Sequence, residues 1–196
     1  MQDALFISSA MLWLVVLALV VVVLALARQI GILYERIAPM GALMMDQGPK
    51  VGELAPRFEL DSLNGRRMVV GGARGRSQLL FFLSPTCPVC KKLLPVLKSI
   101  QRDEAAWLDV SLASDGELPT HSEFYQKAAL QSFDYALSTD LGMTYRIAKL
   151  PYAVLIGEDG LIRGKGLVNS REQLESLFAA KEAGVASIQE YVDQRA

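Results

Sequence analysis

The chain begins with a continuous apolar segment that differs from everything after it. From Ala4 to Ala27 it contains no charged residue, no Pro and no Gly. A helix of these 24 residues extends about 36 Å, enough to cross a hydrocarbon core of about 30 Å with some tilt. A core helix of this length in a globular protein would show a polar face. The pattern therefore predicts a transmembrane helix over residues 4–27.

A cleaved signal peptide is the alternative interpretation of this segment. Residues 25–27 read Ala-Leu-Ala, which matches the small-residue pattern of a cleavage site. A signal peptide, however, has basic residues ahead of an apolar core of about 7–15 residues. Residues 1–3 carry no Lys or Arg, and the apolar core is longer than that. Both criteria favour an uncleaved anchor.

Residues 28–50 are predicted to form a juxtamembrane helix and then a linker. Pro39 and Gly41 end the helical pattern and open a stretch bounded by Pro and Gly. The apolar side chains that repeat at helical spacing before them are Ile30, Leu33, Tyr34 and Ile37.

Residues 51–180 alternate between strand and helix patterns, which is typical of an α/β fold with a central sheet and flanking helices. Asn64-Gly65 is a hairpin turn between the first two strands. Residues 181–196 are expected to form a helical tail. The predicted strands are 57–60, 68–70, 78–83, 109–113, 133–137, 151–156 and 161–167, and the predicted helices are 91–100, 119–130, 139–147 and 170–180. Thr139-Asp140 is the predicted cap of the third of these helices.

Composition and charge exclude several classes of function. Hydrophobic residues make up 52% of the chain, and the excess lies in the N-terminal segment. The 20 Lys and Arg residues are balanced by 21 Asp and Glu residues, which argues against a nucleic-acid partner. Two Cys and one His fall short of the roughly four ligands of a zinc site. We expect no metal and no separate cofactor.

Both cysteines lie in one motif, Cys87-Pro88-Val89-Cys90, between an apolar strand and a helix. Free backbone N–H groups and the dipole at a helix start stabilise a thiolate, which is the attacking species in disulfide exchange. Cys87 is therefore predicted to be the nucleophile and Cys90, one turn further on, the more buried resolving thiol. Pro88 fits the first turn of a helix, where its missing N–H is not needed.

Two other interpretations of the motif stay open. A static disulfide would close so small a loop that it gains little from constraining the unfolded chain. A metal half-site would need a second pair of ligands from another chain. The order strand, Cys-x-x-Cys, helix favours redox activity over both.

Two further residues have ordinary structural explanations when taken alone. Pro151 precedes an apolar strand, as a strand-initiating proline does. The single histidine, His121, has no ligand cluster around it in the sequence and is predicted to be a solvated surface side chain.

The strand–Cys-Pro-Val-Cys–helix unit, followed by Leu150-Pro151-Tyr152 before a strand, a hairpin and a helix, resembles the thioredoxin fold. The resemblance covers residues 51–180 and implies a central mixed sheet flanked by helices. It further implies a cis Leu150–Pro151 bond packed against the active-site disulfide, with Leu150 backbone groups available to a substrate chain. Thioredoxins usually have Trp where this chain has Thr86, which bears on reactivity and on the partner surface rather than on the fold.

The anchor, residues 84–100 and residues 184–194 together resemble the MauD family, thioredoxin-like accessory proteins of methylamine dehydrogenase maturation. The resemblance implies a thiol–disulfide oxidoreductase or isomerase that acts on the small, quinone-bearing subunit of that enzyme in methylamine utilization. It also implies a membrane redox partner and one pass through a bacterial inner membrane, with the redox domain in the periplasm. The implied site comprises Cys87 and Cys90, supported by Thr86, Pro88, Val89, Leu150 and Pro151.

Two alternatives within the same fold fit the motif less well. A copper-delivery protein would need a Cys-x-x-x-Cys spacing and a late His, and neither occurs here. A peroxidase of the peroxiredoxin class would have Pro at the position of Leu80. A general redox chaperone remains the broader form of the main hypothesis.

The charges that flank the anchor conflict with a periplasmic domain. Arg28 and Arg36 follow the apolar segment and no Lys or Arg precedes it, which by the positive-inside rule places the C-terminal side in the cytoplasm. Large domains are translocated despite such charges, and the family resemblance therefore leads us to expect the periplasm. The sequence leaves the direction of electron flow open.

Overall fold

The protein is described by a computed structural model over residues 2–36 and 48–183. The chain divides into two units, residues 1–45 and residues 46–196. The first unit contains helix α1, Gln2–Arg36, which continues past the end of the apolar segment. Within α1, Phe6–Leu24 is long and apolar enough to cross a membrane, and the side chains described in this segment are exposed.

The second unit follows the predicted order of strands and helices. Individual boundaries differ from the prediction by a few residues; the helix predicted over residues 119–130, for example, ends at Lys127. Residues 181–183 of the predicted tail are helical, and residues 184–196 lie outside the described residues. The elements are β1 (Phe58–Asp61), β2 (Arg67–Val70), β3 (Ser77–Phe82), α2 (Pro88–Asp103), β4 (Leu108–Ser114), α3 (Leu118–Lys127), β5 (Asp134–Leu137), α4 (Thr139–Thr144), β6 (Tyr152–Ile156), β7 (Ile162–Leu167) and α5 (Arg171–Ala183).

The main sheet has five strands in the order β5-β4-β3-β6-β7. Strands β3, β4 and β5 are parallel to one another, whereas β6 is antiparallel to both β3 and β7. This confirms the predicted central mixed sheet. Strand β3 is buried along its whole length because it has a paired strand on each side and a core on each face. Strands β1 and β2 form the predicted hairpin, which is a two-stranded sheet of its own.

Each face of the sheet has its own buried core. Helices α2, α3 and α5 pack on one face, and α4 and strand β2 pack on the other. We call the first the thiol-side core because it contains Cys90. Its buried members are Leu79, Phe81, Leu83, Cys90, Leu93, Leu94, Leu97, Ile100, Leu108, Val110, Leu112, Tyr125, Leu130, Phe133, Tyr135, Ala153, Leu155, Val168 and Leu174.

Hydrogen-bonded caps set the starts of the shorter helices. The Ser138 hydroxyl accepts a hydrogen bond from the backbone N–H of Leu141 at 3.1 Å, so α4 is capped one residue before the position that its sequence pattern indicates. At α5, the Ser170 hydroxyl accepts from the N–H of Gln173, whose own side chain accepts from the N–H of Asn169.

The thiol-side core provides a test of the packing. Leu112 is fully buried on β4, and its replacement by Ala should lower the free energy of unfolding by about 2–5 kcal/mol, because a cavity remains. Leu118→Ala is the matched control, since Leu118 is 56% exposed and its truncation should cost less than about 0.5 kcal/mol. Urea unfolding of the full chain in detergent measures both. Equal losses for the two variants would contradict the assignment of this core.

Candidate active site

The two thiols lie at the edge of the sheet where the parallel strands end. Strand β3 ends at Phe82, and α2 begins at Pro88 after a loop of five residues. Cys87 is the N-cap of α2, with extended backbone angles of φ −79° and ψ 112°. The carboxyl ends of β4 and β5 reach the same edge because both strands are parallel to β3. The structure therefore confirms the predicted position of the motif at a helix start.

Cys87 is partly buried and its sulfur takes part in the helix cap. Both cysteines are free thiols in this structure. The backbone N–H of Cys90 donates a hydrogen bond to Cys87 Sγ over 3.1 Å. This is the place where a Ser, Thr or Asp oxygen usually caps a helix. A sulfur that accepts an N–H bond at the positive end of a helix is better suited to carry negative charge than one in the core.

Cys90 is fully buried, as its spacing predicts. Burial is the main cause that raises the pKa of the Cys90 thiol, to about 12, and the nearby Cys87 side chain adds to the rise. A hydrogen bond with the backbone of Ser84 opposes it. Cys90 is therefore a neutral thiol at neutral pH, while Cys87 is the sulfur that a substrate can reach.

A short polar turn precedes the motif and orients it. The Ser84 and Thr86 hydroxyl oxygens are 2.9 Å apart, and the Ser84 carbonyl accepts the N–H of Cys87 over 3.1 Å. Thr86 and Pro88 are exposed, and Val89 is half-buried against the thiol-side core. The sequence analysis did not include Ser84 in the site. Its position beside Pro85 in a loop could have indicated this role, because Ser in loops commonly hydrogen-bonds to the backbone.

Leu150 and Pro151 lie at the same edge of the sheet. The peptide bond between them is cis, as the thioredoxin resemblance implies. Tyr152 pairs with Phe82, and continuing this antiparallel register places Pro151 beside Leu83, at the start of the loop to Cys87. Pro151 is buried and its carbonyl accepts the N–H of Val168, whereas Leu150 is 38% exposed at this edge.

His121 is buried, so the prediction of a solvated surface side chain is wrong. It is 3% exposed, and its Nδ1 lies 2.6 Å from the Tyr135 hydroxyl. The reason is the orientation of α3, whose His121 and Tyr125, four residues apart, both face the sheet. The four-residue spacing between His121 and Tyr125 is the sequence feature that could have predicted the burial of His121. Among the residues that the structure describes, no group of three His, Cys, Asp or Glu side chains could hold a metal ion.

Comparison with known proteins assigns the family. The methylamine utilization protein MauD of Paracoccus denitrificans is 45% identical over 197 residues, which cover 100% of this chain and 98% of that protein. The chain belongs to the MauD family. The thiol-disulfide oxidoreductase ResA of Bacillus subtilis is 25% identical over 114 residues, 57% of this chain and 64% of ResA. No protein-family model matches the chain.

Solved structures show that this MauD-family chain has the thioredoxin-like fold. A thiol:disulfide interchange protein DsbE from Chlorobium tepidum superposes with a TM-score of 0.62 at 19% identity. The superposition covers 68% of this chain and 99% of the other. The fold and the asymmetric pair of thiols are what disulfide exchange requires, and the MauD-family chain is a thiol–disulfide oxidoreductase.

The asymmetry between the two thiols can be measured directly. In the reduced, folded protein at neutral pH, iodoacetamide should modify Cys87 more than about a hundredfold faster than Cys90, because Cys90 is buried and protonated. Peptide mass spectrometry measures both rates. In Cys87→Ser, Cys90 should stay protected until denaturant is added. Rapid modification of Cys90 in the folded protein would contradict this description of the site.

Proposed function

We propose that this MauD-family chain is a membrane-anchored thiol–disulfide oxidoreductase that helps to form or correct disulfides in the small, quinone-bearing subunit of methylamine dehydrogenase. The observation that carries the proposal is the pair of thiols in two different environments at the start of α2. The methylamine utilization role of the relatives supports the choice of substrate. Exchange with a protein disulfide needs one accessible sulfur and one protected sulfur, which Cys87 and Cys90 provide.

The exchange proceeds through a mixed disulfide. The Cys87 thiolate attacks a substrate disulfide, a Cys87–substrate bond forms, and the other substrate sulfur leaves with the electron pair. Cys90 then loses its proton and attacks Cys87 Sγ. A Cys87–Cys90 disulfide forms, and the substrate leaves as a dithiol that has gained two electrons. The reverse sequence transfers the disulfide to the substrate, and alternation between the two isomerises wrong pairings.

The environment of the anchor supports a membrane location. The side chains that the structure describes in Phe6–Leu24 are exposed, and a lipid bilayer would bury them. Disulfides persist in the periplasm and are reduced in the cytoplasm. We therefore place the second unit in the periplasm, with a membrane protein as its redox partner, despite Arg28 and Arg36.

The copper-delivery alternative is not favoured by the site. His121 Nδ1 is engaged by the Tyr135 hydroxyl at 2.6 Å, and the ring is buried. Because the ring is buried and its Nδ1 is engaged, His121 is poorly placed to bind a metal held by Cys87.

Trapping tests both the mechanism and the substrate. In cells that produce methylamine dehydrogenase, Cys90→Ala should accumulate a mixed disulfide because nothing resolves the bond at Cys87. Cys87→Ala should accumulate none. Non-reducing gels and mass spectrometry of the adduct identify the partner, and the double variant is the control. Adducts with other proteins alone would overturn the substrate, and no adduct from Cys90→Ala would overturn the exchange.

A reporter fused after Ala196 tests the orientation of the anchor. An enzyme that is active only outside the cytoplasm should be active in this fusion, and a matched reporter that is active only inside should be silent. Deleting residues 4–27 from the fusion should abolish the external activity. The opposite pattern would place the thiols in the cytoplasm, as the flanking arginines indicate, and would overturn the periplasmic role.

A further inference from the structure

The loop between β3 and α2 carries the reactive sulfur with little support from the core. Ser84 is half-buried, Thr86 is exposed, and Cys87 is only partly buried. Cys90, by contrast, is fully buried in α2. A segment with few buried apolar contacts opens easily, and its hydrogen bonds decide how firmly it is held. The position of Cys87 relative to Cys90 therefore depends on the polar contacts of this loop.

Ser84 fixes the part of the loop that leads to Cys87. Its hydroxyl oxygen accepts the backbone N–H of Thr86 over 3.3 Å and lies 2.9 Å from the Thr86 hydroxyl oxygen. Its carbonyl accepts the N–H of Cys87 over 3.1 Å. A serine hydroxyl that bonds to the backbone two residues later stabilises a tight turn. The Ser84 side chain therefore supports the turn that ends at the nucleophile.

Ser114 fixes the start of the loop. The N–H of Leu83 donates to the Ala113 carbonyl over 3.0 Å, which extends the pairing of β3 with β4 by one residue. Strand β4 ends at Ser114, whose hydroxyl donates to the Leu83 carbonyl over 2.7 Å. Ser114 is 7% exposed, so this bond is shielded from water. Both polar backbone groups of Leu83, the residue before the loop, are thus held by β4.

Resolution of the mixed disulfide depends on where these contacts place Cys87. Under the proposed function, on which this inference rests, Cys90 attacks Cys87 Sγ while that sulfur is bonded to the substrate. Cys87 Sγ accepts the N–H of Cys90 over 3.1 Å, so the two residues are in contact before the reaction. Holding two reacting groups in the right geometry gives a high effective concentration, and small displacements lower the rate. A loop that moved freely would lose part of this advantage.

We propose that the hydroxyls of Ser84 and Ser114 are positioning groups for the resolving step. They hold the loop at two points, so that Cys87 Sγ stays within reach of the Cys90 sulfur after it has bonded to a substrate. In this role neither hydroxyl exchanges protons or electrons. The Cys90 thiol loses its proton to the solvent, its sulfur bonds to Cys87 Sγ, and the substrate sulfur leaves with the electron pair.

A two-phase reaction with Ellman's reagent measures this step in the reduced full-length protein in detergent. The Cys87 thiolate attacks the reagent and releases one coloured thiolate, and Cys90 then attacks Cys87 Sγ and releases the second. Ser84→Ala and Ser114→Ala should each slow the second phase about tenfold, because the loop is less well positioned, and should change the first phase by less than about twofold. Ser84→Thr keeps a hydroxyl that can support the same turn and should restore the rate.

The equilibrium of the Cys87–Cys90 disulfide with glutathione is a second measurement. It reports how readily the two thiols form a bond with each other, relative to a glutathione disulfide. Both alanine variants should lower this equilibrium constant about threefold to tenfold, since closing the bond must then also order the loop. A loss of overall stability that affected both redox forms equally would leave the constant unchanged.

Two other serines provide matched controls. Ser111 is also buried on β4, at 4% exposed, and its hydroxyl accepts a hydrogen bond from the Gln78 side chain over 3.0 Å. On α2, the Ser99 hydroxyl donates to the Asp103 carboxylate over 2.7 Å. Both of these bonds lie outside the loop. Ser111→Ala and Ser99→Ala should therefore leave both phases and the glutathione equilibrium unchanged.

Protection of Cys90 from iodoacetamide verifies that each variant keeps its core, and if Ser114→Ala does not fold, Ser84→Ala decides alone. An unchanged second phase in the folded alanine variants would overturn the positioning role and leave the exchange intact. Equal slowing in Ser111→Ala and Ser114→Ala would also overturn it, because a general loss of packing would then explain the rates. Absence of the second phase in the unaltered protein would instead contradict the proposed exchange itself.

Discussion

The first turn of α2, held against the end of β3, is the constraint on which the whole site depends. Strand β3 is paired on both sides, so the loop that leaves it has a fixed origin. One helical turn then directs Cys87 toward the edge of the sheet and Cys90 into the core. The backbone N–H of Cys90 donates a hydrogen bond to Cys87 Sγ, while the side chain of Cys90 is buried. The chemical difference between two identical residues follows from this geometry.

The fold was predictable because its signals are local. The spacing and the length of apolar runs identify strands and helices without knowledge of the elements that they pack against. Strand β3, for example, lies within one residue of its prediction at each end. The position of the Cys-x-x-Cys pair depends only on the elements that flank it. Single-residue details were less predictable: Ser138 rather than Thr139 caps α4, because the cap depends on backbone angles as well as on residue type.

The buried His121 could not be predicted because its partner belongs to another element. Tyr135 follows it by 14 residues, and their hydrogen bond requires both the tilt of α3 and the register of β5 against β4. Neither is a property of the local sequence. A lone polar residue on a helix is most simply assigned to the solvent, and only the four-residue spacing to Tyr125 indicated otherwise. The residues that sequence analysis misplaced are thus those whose role depends on tertiary contacts.

The backbone, rather than side-chain charge, polarises the site. Lys91 and Lys92 follow the motif but are exposed, where water and salt screen their effect on a sulfur. The Cys90 N–H touches Cys87 Sγ at 3.1 Å and is held there by the helix. The helix start therefore orients the two sulfurs through a backbone contact, which persists at high ionic strength, whereas salt screens the charges of exposed lysines.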